Sequence, residues 1–153
     1  MAIKISLAGK KDRKRLLNFF RHYGGMKLIE KRVDCYLCYN FTVIAKDNGR
    51  IVGVLQWYAK ENPEDGLAEF EEVFVLKKYR SRGIGSMITG YAIRSVNEYF
   101  RKLRIKPRKI FLFVSKKNMA ARKLYEKHGF RKVASVGNLF RDNVKELIYS
   151  LRL

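Results

Sequence analysis

The sequence is poor in acidic residues, prolines and cysteines. Among its 153 residues, 14 Asp and Glu stand against 34 Lys and Arg, so the formal net charge is +20. The first residues lack the apolar run of a signal peptide, and nowhere do about 18 apolar residues follow one another. No internal repeat or low-complexity segment is present. We therefore expect a soluble, intracellular protein in the cytoplasm.

The two cysteines, Cys35 and Cys38, form a C-x-x-C within a strand-like apolar run. A structural zinc site needs about four ligands, and no second cysteine pair exists. His22 and His128 are the only histidines and lie far away in the sequence. We therefore expect no metal, and two partly buried free thiols rather than a redox pair.

The length and composition favour one domain over residues 1–153. With 47% hydrophobic residues and 13% aromatic residues, the chain can bury a substantial core. The large positive charge first suggests nucleic acid. However, the basic clusters at residues 10–15, 101–109 and 122–132 accompany no recognisable nucleic-acid motif. A nucleic-acid-associated role therefore stays an alternative and is not favoured.

Residues 70–85 predict an apolar strand, a basic turn with glycines, and the start of an amphipathic helix. The first N–H groups of a helix lack internal partners and carry partial positive charge, so Gly83 and Gly85 would let a phosphate approach the backbone. The positive charges of Arg80 and Arg82 would add long-range attraction for the phosphate. Neither the third glycine of a dinucleotide fingerprint nor the Gly-Lys-Ser/Thr of a P-loop follows. The predicted buried stripe of this helix consists of Ile84, Met87, Ile88, Tyr91, Ala92, Ser95 and Tyr99.

A second block, residues 118–130, reads Asn-Met-Ala-Ala-Arg-Lys-Leu-Tyr-Glu-Lys-His-Gly-Phe. Together with Arg80, Gly83 and Gly85, it resembles the GNAT N-acetyltransferases, whose first signature is Arg or Gln, two residues, Gly, one residue, then Gly or Ala. The resemblance covers about residues 36–135. Ser81 stands where glycine is common in the family. We expect that departure to be minor, because serine can take most turn conformations other than positive φ.

The patterns predict strands at residues 2–7, 36–46, 50–59, 67–76, 109–114, 130–136 and 144–151, and helices at residues 10–23, 26–32, 84–103 and 118–128. Gly24 and Gly25 would end the first helix, and Asn48-Gly49 predicts a hairpin. Residues 109–114 are typical of a central strand buried on both faces and parallel to residues 67–76. This order matches the GNAT fold: an α/β (α+β) mixed, mostly antiparallel sheet of about seven strands with helices on both faces.

The resemblance implies acetyl-CoA as co-substrate. In the family the two strands equivalent to residues 67–76 and 109–114 splay apart, and the pantetheine arm enters between them. The implied cofactor-binding residues are the strand residues Val73, Phe74 and Val75, the turn residues Arg80, Ser81, Arg82, Gly83, Ile84, Gly85 and Ser86, and Asn118 and Ala121. Asn118 is also interpretable as a plain helix N-cap, and the two roles are compatible.

The resemblance also implies the catalytic groups. Tyr125 matches the family tyrosine that donates a proton to the departing thiolate, although a core aromatic is the alternative. An alkyl amine is protonated at neutral pH, so a base is useful. Strand alternation places Glu69 and Glu71 on one face and Glu72 on the other, unless a bulge changes the parity. Glu71 is the first candidate for the catalytic base and Glu69 the second. The alternative is that these glutamates belong to a solvated strand edge and have no catalytic role.

The expected function is direct acetyl transfer from acetyl-CoA to a primary amine, without a covalent enzyme intermediate. The acceptor stays open between a small amine or polyamine, a protein lysine and a protein N-terminus, and acidic residues in the region 64–72 suit a cation. A non-catalytic acyl-CoA-binding domain is the other alternative. The short loop at residues 137–143 would leave the acceptor site open, and a homodimer is possible.

Overall fold

The computed structural model describes residues 2–23 and 27–153, except for the side chain of Glu72. Seven strands and four α-helices are found in these ranges. The strands are β1 (Lys4–Leu7), β2 (Phe41–Asp47), β3 (Arg50–Ala59), β4 (Leu67–Val75), β5 (Lys109–Ser115), β6 (Arg131–Gly137) and β7 (Lys145–Arg152). The helices are α1 (Arg13–Tyr23), α2 (Ile29–Cys38), α3 (Ile84–Lys102) and α4 (Met119–Lys127).

The strands follow the order β1-β2-β3-β4-β5-β7-β6 in one sheet. The pairs β1–β2, β2–β3, β5–β7 and β6–β7 are antiparallel, and β4–β5 is parallel. The predicted mixed, mostly antiparallel fold is therefore confirmed. The chain divides into a first unit, Met1–Tyr58 with Glu72–Ala92, and a second unit, Ala59–Glu71 with Ile93–Leu153. The single domain over residues 1–153 stays a prediction.

In the first unit, the predicted hairpin joins β2 to β3. Asp47 pairs with Arg50, so the loop consists of Asn48 and Gly49 alone. Their φ angles of 45° and 79° are both positive, as the twist of a two-residue hairpin requires. The register shifts by one residue between Ala45 and Lys46, and beyond this irregularity Phe41 lies opposite Trp57, with ring centroids 4.2 Å apart. The turn signal thus places the hairpin, and the register shift sets the pairing of the core strands.

The region after α1 differs from the prediction. The helix α2 runs to Cys38 and β2 begins only at Phe41, whereas the sequence analysis expected a helix over residues 26–32 and a strand from residue 36. Val33 and Tyr36 are buried at helical spacing, and this packing overrides the strand-like composition. Both cysteines are consequently exposed on α2, so the expectation of partly buried thiols was wrong.

The buried Thr42 on β2 explains where α2 ends. Its hydroxyl donates a hydrogen bond of 2.8 Å to the carbonyl of Tyr36, one of the last carbonyls of the helix. The predicted helix start at Met26 and the stop at Gly24 and Gly25 lie outside the described residues. The helix predicted from residue 10 begins as a 3₁₀ turn, Lys10–Asp12, and becomes α-helical at Arg13. The other predicted elements are confirmed to within about two residues at their ends.

In the second unit, β5 lies between β4 and β7. Ile110, Leu112 and Val114 are buried, while Phe111 and Phe113 on the opposite face are half-buried. The predicted central position and the parallel pairing with β4 are confirmed, but full burial of both faces was wrong. Among the described residues, β5 pairs with β7 over all seven positions and with β4 over four, from Leu67↔Lys109 to Phe70↔Leu112.

The helix α3 has a rotated apolar face compared with the prediction. Its buried residues Ile84, Ile88, Ala92 and Val96 recur every four positions, and Phe100 continues the row. Met87, which the sequence analysis placed in the buried stripe, is 45% exposed. The predicted and observed faces share the buried residues Ile84, Ile88, Ala92 and Ser95. With 3.6 residues per turn two neighbouring faces can contain these residues, and only packing chooses between them.

Candidate functional site

The basic turn between β4 and α3 lies in the first unit and is held at both ends. The Leu76 N–H donates to the Val52 carbonyl at 3.0 Å, which fixes the end of β4. Tyr79 is buried, and its hydroxyl donates to Asp47 Oδ2 at 3.1 Å. The hydrogen bond to Asp47, together with burial and the Asp47 charge, raises the pKa of the Tyr79 phenol. The turn is therefore anchored to the β2–β3 hairpin.

Two residues of the turn take left-handed backbone conformations. Ser81 has a φ of 58° and Gly83 a φ of 75°. The expectation that serine makes only a minor difference was therefore wrong, because a non-glycine residue at positive φ costs about 1 kcal/mol or more. A Cβ built at Gly83 would have no neighbouring atom within 4 Å. The backbone of Gly83 is thus open to an approaching ligand.

Arg80 has a different immediate role from the one the sequence suggests. Its Nε donates to the Val75 carbonyl at 3.0 Å, and its Nη2 lies 3.4 Å from the Tyr23 hydroxyl. The Tyr23 ring also packs against Phe74, with centroids 4.7 Å apart. Arg80 therefore braces the turn against β4 and α1. No signal in the sequence links Tyr23 to Arg80, because the two are separated by 57 residues.

The start of α3 is held against β3 by a glycine that the sequence analysis did not single out. A Cβ at Gly53 would lie 2.7 Å from Ile88 Cδ1 and 3.3 Å from Ile84 Cγ2. Gly53 therefore lets the first turns of α3 approach the sheet closely. The first four N–H groups of such a helix have no partners within it, and they add to a partial positive charge. The turn and the helix start together form an anion-binding geometry.

The candidate bases lie in the second unit, on β4. Glu69 is opposite Phe111 of β5, and its side chain is 14% exposed. Its Oε2 accepts a hydrogen bond of 3.4 Å from Lys60 Nζ. Glu71 is half-buried, and the side chain of Glu72 lies outside the described structure. Because Glu69 and Glu71 are two residues apart on one strand, they project to the same face.

The helix α4 presents the second matched block, also in the second unit. Asn118 is its N-cap, and Asn118 Oδ1 accepts from the Ala121 N–H at 3.1 Å. The interpretation of Asn118 as a helix N-cap is confirmed. Because Oδ1 is engaged in the cap, a ligand contact would be made by Asn118 Nδ2. Tyr125 is 3% exposed and packs against Phe130 with centroids 5.6 Å apart. The following Gly129 has a φ of 86° and ends the helix as predicted.

A tyrosine of β7 fixes α4 and was missed by the sequence analysis. The buried Tyr149 donates from its hydroxyl to Glu126 Oε1 at 2.7 Å, and it accepts from Arg122 Nε at 3.3 Å. This bond raises the pKa of the Arg122 guanidinium. Arg122 and Glu126 of α4 are thus both hydrogen-bonded to Tyr149 of β7, and these two bonds fix the orientation of α4 relative to the strand. Helical spacing alone gives no indication of these contacts, because Tyr149 is 23 residues from Glu126 and 27 from Arg122 in the sequence.

The predicted site residues fall into two groups. Val73, Phe74, Val75 and residues 80–86 belong to the first unit, and Glu69, Glu71, Asn118, Ala121 and Tyr125 belong to the second. Over residues 2–23 and 27–153, no group of three His, Cys, Asp or Glu side chains has the arrangement of a metal site. In the same ranges, no helix combines the length and apolar character needed to cross a membrane.

Comparisons with known proteins agree with this geometry. The profile of the Acetyltransferase (GNAT) family matches residues 9–130, so the chain belongs to the GNAT acetyltransferase family. No significant match was found among curated protein sequences.

Solved structures of similar fold cover nearly the whole chain. A GCN5-related N-acetyltransferase from Kribbella flavida has a TM-score of 0.81 and 21% identity, over 99% of this chain and 98% of its own. The ribosomal-protein-S18-alanine N-acetyltransferase from Escherichia coli has a TM-score of 0.80 and 15% identity, over 99% and 94%. A Salmonella typhimurium protein solved with its cofactor acetyl-CoA has a TM-score of 0.79 and 16% identity, over 100% and 95%.

Proposed function

We propose that this protein transfers the acetyl group of acetyl-CoA to a primary amine, which attacks the thioester carbonyl directly. The observation that carries the proposal is the anchored turn with left-handed Ser81 and Gly83 before a 19-residue helix. Bare N–H groups at a helix start suit a diphosphate, and acetyl-CoA contains one. Family membership supplies the thioester chemistry, and the second matched block supports it.

In this proposal, the backbone of residues 81–86 holds the diphosphate, and Arg80 positions the turn while its charge attracts the ligand. The main chain of residues 73–75 holds the pantetheine and the thioester oxygen. Such contacts depend on N–H groups rather than side chains, so they tolerate sequence change. Asn118 contacts the pantetheine arm through Nδ2, and the small Ala121 leaves room for it.

The catalytic roles go to Tyr125 and the β4 carboxylates. The amine loses a proton to Glu71 or Glu69, its nitrogen bonds to the acetyl carbon, and the carbon–sulfur bond breaks. Tyr125 gives its proton to the departing thiolate, because a phenol is protonated at neutral pH and can act as an acid. Neither cysteine lies in the two matched blocks, residues 80–85 and 118–130, so the proposed reaction uses no covalent enzyme intermediate.

The acceptor that we propose is a cationic alkyl amine. Lys60 of the chain itself places its ammonium 3.4 Å from Glu69 Oε2 and 5.7 Å from the centroid of the Phe111 ring. A carboxylate beside an aromatic face is a favourable environment for a cation. A small amine or polyamine, a protein lysine and a protein N-terminus remain the acceptor classes within this proposal.

A thiol-release assay tests the proposal, using acetyl-CoA with a polyamine, a lysine peptide and a peptide with a free N-terminus. We expect release of CoA with at least one of them. Binding of acetyl-CoA by calorimetry without release with any amine would favour the non-catalytic alternative. Absence of binding at millimolar acetyl-CoA would refute the proposal itself.

A pair of glycine variants tests the turn. Gly83 and Gly49 have φ angles of 75° and 79°, and neither has an atom within 4 Å of a built Cβ. Gly83→Ala and Gly49→Ala should therefore lose similar stability, about 1 kcal/mol each. We expect only Gly83→Ala to raise the Kd for acetyl-CoA, by about tenfold. An equal effect of both variants on binding would exclude the turn as the diphosphate site.

A further inference from the structure

The second unit carries a groove that the acetyl-transfer proposal does not use. It has a volume of about 590 Å³ and lies where α3 ends and the chain turns towards β5. Four of its lining residues are cationic, Arg94, Arg101, Arg104 and Lys106, and Glu98 is its one acidic lining residue. The four cationic side chains belong to exposed residues. The groove is therefore open to solvent and strongly basic.

The positive charge continues along the chain beyond the groove walls. Every charged residue in the segment 101–109 is Lys or Arg, namely Arg101, Lys102, Arg104, Lys106, Arg108 and Lys109. Cations in the last turn of a helix interact favourably with its dipole, which accounts for Arg101 and Lys102. The helix dipole does not account for the cations that follow the end of α3, namely Arg104, Lys106, Arg108 and Lys109. A cluster of this kind on a chain of net charge +20 produces a field that attracts polyanions.

The backbone at Arg104 gives independent support. Arg104 has a φ of 59°, its N–H donates to the Arg101 carbonyl at 3.0 Å, and the Ile105 N–H donates to the Phe100 carbonyl at 2.9 Å. These two bonds form the helix end at which glycine is the usual residue, because only glycine takes positive φ without cost. Arginine at this position retains about 1 kcal/mol of strain. What it adds there is a guanidinium on the groove wall.

We propose that this groove binds the phosphate backbone of a nucleic-acid strand. Guanidinium groups bind phosphate oxygens in pairs of parallel hydrogen bonds, and three of the four cations in the groove are arginines. A small anion would use only the groove, whereas a strand also uses the charge of Lys102, Arg108 and Lys109 outside it. The groove shares no residue with the proposed diphosphate turn, because its lining residues all lie within 94–107.

Fluorescence anisotropy with labelled single-stranded RNA, single-stranded DNA and duplex DNA tests the proposal over a range of salt concentrations. The triple variant Arg94→Gln, Arg101→Gln, Arg104→Gln should raise the Kd at least tenfold. It should also make the slope of log K against log salt shallower by about two, since each neutralised phosphate of a single strand contributes about 0.7. A comparison of the Kd values for RNA and DNA shows whether the groove prefers a ribose or a deoxyribose backbone.

A matched control removes the same charge elsewhere. Arg32→Gln, Arg131→Gln, Arg152→Gln changes three exposed arginines outside the groove. We expect at most a twofold change in Kd for this control. Equal losses in the two triple variants would show that the net charge alone binds nucleic acid, and the groove would be refuted. Binding to anionic lipid vesicles without binding to any nucleic acid would refute it as well.

Two further measurements separate the groove from structural and catalytic effects. Arg104→Gly relieves the backbone strain, so the unfolding midpoint should stay the same or rise while nucleic-acid affinity falls about threefold; a purely structural arginine would leave affinity unchanged. Millimolar CoA should not displace the strand if it occupies this groove. Displacement by CoA would assign binding to the turn before α3 and overturn the proposal, whether or not acetyl transfer is observed.

Discussion

The Lys60 ammonium and the Glu69 carboxylate form an ion pair of 3.4 Å on the half-buried face of the second unit. An acceptor amine that approaches Glu69 would compete with this ammonium for the carboxylate. We expect Lys60→Met to lower the KM for the amine about threefold if Glu69 is the base, because the competing cation is removed. An unchanged KM in Lys60→Met, with a loss of activity in Glu71→Gln, would assign the role to Glu71.

Tyr125→Phe should lower kcat about 100-fold, because it removes the proposed proton donor for the departing thiolate and keeps the ring against Phe130. The matched control is Tyr149→Phe, which removes the hydroxyl that donates to Glu126 at 2.7 Å. The control should lose about 1 kcal/mol of stability and little kcat. Equal kcat in wild type and Tyr125→Phe would leave Tyr125 as a core aromatic.

Asn118→Ser should preserve α4, because a serine hydroxyl replaces Oδ1 as acceptor for the Ala121 N–H. It removes Nδ2, so the KM for acetyl-CoA should rise about fivefold, the effect of one hydrogen bond. Asn118→Ala, which also loses the cap, should cost about 1 kcal/mol of stability in addition. If the KM rises only in Asn118→Ala, the variant that loses stability, and not in Asn118→Ser, then Asn118 has a purely capping role.

Ser81→Gly should raise the free energy of unfolding by about 0.5 kcal/mol, since relief of positive φ exceeds the entropy that glycine adds to the unfolded chain. Ser81→Val should lower it by about 2 kcal/mol, because a β-branched residue tolerates this conformation poorly. Urea unfolding measures both. A destabilised Ser81→Gly variant would mean that the serine side chain makes a stabilising contact that outweighs the strain.

Asp12 gives a stability prediction that depends on pH. It is 1% exposed and accepts hydrogen bonds from Lys46 Nζ at 2.8 Å and from the Gly9 N–H at 3.1 Å. Burial alone would raise the pKa of this carboxyl, but the hydrogen bonds and the charges of Lys46 and Arg15 lower it below its usual 3.8. A carboxyl with a lowered pKa stabilises the folded state above its unfolded pKa, and this contribution is lost as the pH falls through the folded pKa.

Asp12→Asn should therefore cost about 1–3 kcal/mol at pH 7, and the difference from wild type should shrink as the pH falls below about 4. Asp34→Asn is the matched control, because Asp34 pairs with Arg13 at 2.6 Å on the exposed surface and also has a lowered pKa. Solvent screens that pair, so its variant should change stability much less. A constant Asp12→Asn difference between pH 7 and pH 2.5 would contradict the role of the charge.

Much of the fold follows from local signals. Asn48-Gly49 predicts the hairpin because both residues tolerate positive φ, and Gly129 predicts the end of α4 for the same reason. The spacing of Arg80, Gly83 and Gly85 before an amphipathic helix predicts the anion-binding turn. The misassigned segment around Cys35 and Cys38 is different, because its composition suits a strand and only the burial of Val33 and Tyr36 makes it a helix.

The sequence by itself indicated the GNAT membership, through its resemblance to the two family motifs. It also determined the order of strands and helices and the glycine-containing turn before α3, because backbone sterics and hydrophobic periodicity act over a few residues. Only the tertiary structure decided that Arg80 forms hydrogen bonds with Val75 and Tyr23, that Lys60 forms an ion pair with Glu69, and that Ser81 has a strained positive φ. These contacts depend on how separate helices and strands pack together, and the residue spacing within a sequence motif does not encode that packing.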